Sequence, residues 1–204
     1  MVRDRINGAA RLVPVWLVWL SLSAPAVWYV WLGLTGGLGA DPIEALEHAL
    51  GEVALQLLVA GLCITPLRRY LGINLLRFRR AIGLLAFTYV ALHLAVWLVL
   101  DVQIPAQIWA DIVKRPYVTI GFVAFLLMIP LAVTSNNLSV RKLGPSWRRL
   151  HQLTYAVAVL GAVHFIWLSK GFQIEPLIYL GVILGLLALR VRVPRRMQRA
   201  RVGS

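Results

Sequence analysis

The chain has 204 residues, 60% hydrophobic and only 14% charged, with a net charge of +13 and a mean hydropathy of +0.77. A soluble domain averages about 45–50% apolar and about 25% charged residues, so this composition excludes a disordered chain, a collagen-like chain and an ordinary soluble enzyme. Basicity in a soluble chain would point to nucleic acid. With this apolar content it points to membrane topology instead, and no nucleic-acid partner is expected.

Six apolar segments run roughly over 12–34, 49–66, 81–100, 117–134, 150–168 and 174–193. Each approaches the ~20 residues that cross a hydrocarbon core of ~30 Å at ~1.5 Å per residue. The first is too long for the apolar region of a secretory leader and reads as a span. Pro14, Pro25 and Pro130 fall inside segments, which membrane helices tolerate better than soluble ones. The expected architecture is all-α: a polytopic membrane protein, one domain over 1–204, with six transmembrane helices.

The connections carry the charge. Arg3, Arg5 and Arg11 precede the first segment; Arg68, Arg69, Arg77, Arg79 and Arg80 separate the second and third; Arg141, Lys142, Arg148 and Arg149 separate the fourth and fifth; Arg190, Arg192, Arg195, Arg196, Arg199 and Arg201 follow the sixth. That places eighteen basic residues on one side with a single acid, Asp4. The other side holds Lys114, Arg115 and Lys170 with seven acids, Asp41, Glu44, Glu47, Glu52, Asp101, Asp111 and Glu175. By the positive-inside rule both termini are cytoplasmic, and the third and fifth helices run parallel.

There are four histidines, His48, His93, His151 and His164. Ionisable residues inside a membrane are functional candidates because burying them is costly, and a neutral imidazole is a common axial ligand of haem iron. His93 lies 12 residues beyond Ala81 and His164 lies 14 beyond Leu150, about 18 Å and about 21 Å along parallel helices. The two imidazoles therefore reach one level, where a single haem fits between them. The alternative is two unrelated core histidines bonded to backbone carbonyls.

His151 begins the fifth segment, 13 residues before His164, a rise of about 19.5 Å that suits two stacked redox sites. At about 100° per residue the two side chains are offset by about 140° on a straight helix, and the residue 13 before His93 is Arg80 rather than histidine. A second bis-histidine haem is therefore not readable. His151 as a ligand, a flavin contact and an interfacial phosphate contact all stay open. His48 opens the second segment within an acidic stretch. It reads as a solvated interfacial residue, with a haem propionate contact, an alternative ligand or a docking residue as the other readings.

The cluster Arg77, Arg79 and Arg80, with Arg148 and Arg149, suits anionic lipid or a flavin phosphate. The tryptophans suit interfacial belts or core packing. The lone Cys63 allows no internal disulfide or covalent haem attachment and reads as a buried thiol. No nucleotide-binding glycine fingerprint, P-loop or zinc-protease helix is present. A transporter is the competing class, but the spans hold few polar residues besides histidine and show no paired broken helices.

Longer strings carry a family likeness: Gly-Gly-Leu-Gly-Ala-Asp-Pro (36–42), Ile-Thr-Pro-Leu-Arg-Arg-Tyr (64–70), Arg-Arg-Ala-Ile-Gly-Leu-Leu (79–85), Ala-Leu-His-Leu (91–94), Lys-Arg-Pro-Tyr-Val-Thr-Ile-Gly (114–121) and Arg-Lys-Leu-Gly-Pro-Ser-Trp-Arg-Arg-Leu-His-Gln-Leu (141–153). In this order, over nearly the whole chain, they resemble the MsrQ (YedZ) family of ferric-reductase-like transmembrane domains. The resemblance implies a subunit binding b haem, one or two per chain, associated with FMN. It implies electron transfer across the bacterial inner membrane to a periplasmic MsrP-type molybdopterin enzyme that reduces protein methionine sulfoxide. His93, His151 and His164 match the haem-associated positions. Larger ferric reductases and NADPH oxidases carry a fused flavin and nicotinamide domain and usually two histidines on helix three. This chain has neither feature, which implies a separate cytosolic flavin reductase, or quinol, as donor. A quinol-oxidising b-type cytochrome with another acceptor is the alternative.

Overall fold

In the computed structural model, residues 2–169 and 173–190 are described. Lys170 and Arg192, Arg195, Arg196, Arg199 and Arg201, which enter the charge asymmetry, lie outside the described residues. The described residues form helices and no strand: α1 (Val2–Leu12), α2 (Val15–Leu34), α3 (Pro42–Pro66), α4 (Arg79–Val96), α5 (Pro105–Lys114), α6 (Pro116–Val133), α7 (Asn137–Leu143), α8 (Pro145–Leu150), α9 (Leu153–Leu168) and α10 (Ile174–Ala188).

Five stretches are long and apolar enough to cross a membrane: Val15–Leu34, Pro42–Leu71, Leu76–Val102, Pro116–Val133 and Pro145–Leu168. The apolar α10 is shorter, at 15 residues. The chain is thus a polytopic helical membrane protein. Large apolar side chains cover its outside, with Trp16, Leu20, Val27 and Val99 all more than 60% exposed, the inverse of a soluble surface.

Several expected boundaries move for local reasons. The segment expected at 12–34 begins three residues later, at Val15, because Pro14 is extended (φ −69°, ψ 146°) and separates α2 from α1. The 49–66 segment begins earlier, at Pro42. Proline suits the first helical position, and the Asp41 carboxylate accepts the Glu44 amide 3.1 Å away as its cap. The 81–100 segment starts at Arg79 and continues past Val96 as a π-helical turn over Trp97–Val102. The 150–168 segment is interrupted at His151 and Gln152, between α8 and α9. The expected 174–193 segment is described as helix only to Ala188. The short amphipathic α5 lies where only a connection was expected. Cys63, expected to be buried, is intermediate in exposure.

Neighbouring spans run antiparallel, and their ends meet in chemically distinct ways. At the basic end, Arg77 donates to the Ala10 and Arg11 carbonyls at 3.1 and 2.7 Å, closing the C-terminus of α1. Arg80 donates to the Asn137 side chain at 2.8 Å, and Arg69 and Tyr70 both donate to the Leu189 carbonyl at 3.2 Å. At the acidic end, Gln56 joins Glu52 at 2.8 Å and Tyr179 at 3.2 Å, linking α3 to α10.

α3 is the central stave. Leu46, Leu50, Ala54, Leu57 and Leu58 pack with Leu85, Ala86 and Tyr89 of α4, Met128 and Leu131 of α6 and Val157 of α9. Its other face, Leu55 and Leu62, meets Ala158 and Ala162 of α9 and Ile183 of α10. Ala86, Ala158 and Ala162 are fully buried, the small residues that let membrane helices approach closely.

Near two prolines, side chains from other helices take part in the backbone ladder. Pro66 has no N–H to offer the Leu62 carbonyl; the Arg190 guanidinium donates there, and to the Tyr155 hydroxyl at 3.0 Å. Next to Pro25, the Tyr89 hydroxyl enters the α2 ladder. It accepts from the Ala26 amide at 3.0 Å and donates to the Leu22 carbonyl at 2.7 Å, a known cause of helix opening. Tyr89 lies one turn before His93 on α4, so this latch ties the first span to the histidine-bearing helix.

Candidate functional site

His93 on α4 and His164 on α9 meet near the acidic end. Their ring centres are 6.2 Å apart, with planes at 81°. Each imidazole is held by a neighbouring helix in the same way. His93 Nδ1 donates to the Glu47 carbonyl of α3 at 2.9 Å, and His164 Nδ1 donates to the Tyr117 carbonyl of α6 at 2.8 Å. A carbonyl only accepts, so each Nδ1 carries the proton and each neutral ring presents a bare Nε2 lone pair. These carbonyl bonds are those of a structural core histidine. Bonds of this kind, from the ring nitrogen turned away from the metal, also orient a metal-bound imidazole.

Four residues after each carbonyl comes a glycine, Gly51 and Gly121. A Cβ on Gly51 would lie 3.2 Å from His93 Nδ1; one on Gly121 would lie 2.9 Å from both Nδ1 and Cε1 of His164. Each ring therefore rests in a notch that a side chain would fill.

The donor set and the notches fit a bis-imidazole haem. His93 and His164, neutral rings with centres 6.2 Å apart and Nδ1 already committed, would be the residues to hold it. The Glu47 carboxylate approaches His93 Nε2 at 3.9 Å, beyond hydrogen-bond distance.

The start of α6, which offers the Tyr117 carbonyl, is braced by α5. Arg115 pairs with the buried Asp111 at 3.1 Å and donates to the Tyr117 hydroxyl at 3.3 Å. The Tyr117 bond, ahead of the Asp111 charge, raises the Arg115 pKa above its ordinary value. The Thr119 hydroxyl reaches back to the Ile112 carbonyl.

His151 is placed differently. It occupies the break between α8 and α9 (φ −70°, ψ −4°), so the straight-helix offset from His164 does not apply. Its Nε2 is 3.1 Å from Thr134 Oγ1, and that hydroxyl spends its single proton on the Pro130 carbonyl at 2.6 Å. The hydroxyl must therefore accept from His151, whose proton sits on Nε2. Trp147 stacks on the His151 ring at 3.9 Å and donates its Nε1–H to the Thr134 carbonyl at 2.8 Å.

His151 and Trp147 line a cavity of about 520 Å³ at the basic end, walled by Leu57, Leu58, Phe87, Met128 and Leu131, with Arg77, Arg79 and Arg80 around it. The cavity joins an apolar slot, an aromatic pair and cations. That combination suits a flat, partly anionic molecule. Two of the three arginines, Arg77 and Arg80, also bond within the protein. His48 is exposed on α3, next to Glu47 in the chain.

The sequence reading overlooked Gly51, Gly121, Thr134 and Trp147, and the parts played by Glu47 and Tyr117. The last two act through backbone carbonyls, for which the side chain carries no signal. The detectable signal was a glycine in the first half of each of two spans, Gly51 in α3 and Gly121 in α6.

Residues 49–162 match the model of the ferric reductase like transmembrane component family. The chain is 46% identical over 186 residues to the protein-methionine-sulfoxide reductase heme-binding subunit MsrQ of Brucella anthropi, covering 91% of this chain and 84% of that protein. It is 47% identical over 183 residues to the subunits of the same name from Brucella ovis and Brucella melitensis, covering 88% of this chain and 83% of each. No solved structure matches the chain.

Proposed function

The chain belongs to the MsrQ family of haem-binding subunits of protein-methionine-sulfoxide reductase, and from that membership we propose that it carries electrons across the bacterial inner membrane from a cytosolic flavin reductase to a periplasmic MsrP-type molybdopterin enzyme. The observation that carries this is the facing pair His93 and His164, with both Nδ1 protons fixed on backbone carbonyls and ring centres 6.2 Å apart. A bound haem b supplies one-electron iron chemistry. His93 and His164 hold it through Nε2, the Glu47 and Tyr117 carbonyls keep the rings in the ligating tautomer, and the apolar spans keep water away, which tunes the potential.

The basic end faces the cytoplasm in this reading, both termini are inside, and α10 is the sixth span. FMN occupies the cavity beside His151 and Trp147, with Arg79 near its phosphate. The acidic end then faces the periplasmic partner.

An optical spectrum of protein expressed with ample haem tests the proposal. Dithionite reduction is expected to give b-type bands; their absence overturns it. Reduction by a flavin reductase with NADH, compared with reduction by a quinol, tests the donor, and rapid reduction by quinol alone favours the quinol-oxidising alternative.

A further inference from the structure

We infer that Gly51 and Gly121 are positioning residues that set the planes of the two axial imidazoles, and through those planes the electronic state and potential of the iron; this rests on the haem reading above. The two seats are built alike. In each, a helix offers the carbonyl of residue i to Nδ1 and the missing side chain of residue i+4 to the ring, as Glu47 with Gly51 and Tyr117 with Gly121. The carbonyl fixes one ring atom, and the bare glycine backbone allows the ring to lie flat against the helix. Two constraints on one rigid ring leave it little freedom to turn about its bond to a metal. The result is an angle of 81° between the two planes.

That angle has an electronic meaning. Each axial imidazole donates π density perpendicular to its own ring, into one of a pair of iron d orbitals. Parallel rings raise the same orbital and split the pair. Rings near perpendicular raise one orbital each and leave the pair nearly equal in energy, which gives a strongly anisotropic low-spin signal. Axial-ligand geometry is among the levers by which a protein tunes haem. A Cβ 2.9 Å from two atoms of His164 is closer than such atoms approach, so the ring must turn or slide; at Gly51 the gap of 3.2 Å demands a smaller movement.

The test uses the full chain, purified with haem in detergent, as Gly121→Ala, Gly51→Ala and the control Gly181→Ala, whose Cβ meets nothing within 4 Å. Alanine favours a helix over glycine, so backbone preference does not oppose folding. The oxidised wild type is expected to show the strongly anisotropic low-spin electron paramagnetic resonance signal. Gly121→Ala is expected to move its low-field g value toward smaller anisotropy and to shift the midpoint potential, Gly51→Ala to do both by less, and Gly181→Ala to do neither. Loss of haem from folded Gly121→Ala, with a displaced signal in Gly51→Ala, is the same result at larger amplitude. Wild-type g values and potential in both Gly121→Ala and Gly51→Ala overturn the inference. His93→Ala and His164→Ala separate the two levels: full haem content with an unchanged signal in both overturns the haem assignment itself, whatever the glycine variants do.

Discussion

The two ends of the bundle use histidine in opposite tautomers. At the acidic end His93 and His164 donate through Nδ1 to helix carbonyls and present Nε2; at the basic end His151 donates through Nε2 to the Thr134 hydroxyl. The partners differ in kind. A carbonyl inside a continuous helix has one position and one role, so the acidic-end rings are fixed in place and in proton. The Thr134 hydroxyl belongs to a side chain and is held as an acceptor by its bond to the Pro130 carbonyl, and His151 sits at a helix break beside a cavity. The difference sets two rings held on continuous helices against one held at a helix break beside a cavity.

The sharpest way to break this contrast is to remove each imidazole. His93→Ala and His164→Ala are each expected to abolish haem binding at the acidic end, measured as haem per chain by the pyridine haemochrome assay. His151→Ala and Trp147→Ala are expected to retain that haem but to slow its reduction by flavin reductase and NADH about tenfold or more, the usual scale for losing a supporting group around a redox centre. Equal haem loss in all four variants would erase the distinction between the two ends.

Smaller effects probe the supports. Tyr89→Phe removes the hydroxyl inserted between the Ala26 amide and the Leu22 carbonyl, so these i, i+4 groups must close on each other and the tie to α4 is lost, at about 0.5–1.5 kcal/mol. Thermal unfolding in detergent reads this as a lowered midpoint. Thr134→Val takes the acceptor from His151 Nε2 at a cost of about 1 kcal/mol. Thr134→Ser restores the hydroxyl and is expected to unfold like the wild type.

The sequence made the spans and the histidine pair legible because both rest on long-range regularities. Hydropathy averaged over a window finds α2, α3, α4, α6 and α9, and counting residues from the ends of two parallel helices brings His93 and His164 level. The same averaging passes over short breaks. Pro14 and the His151–Gln152 interruption vanish inside apolar runs, and α5 is too short to register. The seats were hidden for a different reason. Glu47 and Tyr117 contribute main-chain oxygen, Gly51 and Gly121 contribute the absence of atoms, and neither leaves a compositional trace. Thr134 and Trp147 owe their roles to contacts across a turn that only the fold creates.

The Tyr89 latch has a consequence in time. α2 buries none of its residues; it touches the rest through one seam, Trp19, Leu22, Ala26 and Tyr29, and through a hydroxyl 63 residues further along the chain. At about 5–20 residues per second of synthesis, that hydroxyl emerges about 3–13 seconds after its partners. The first span thus enters the bilayer before the partner of its Ala26 and Leu22 groups has been made, and that contact is completed only when α4 docks. The earliest-made span waits on one of the later ones.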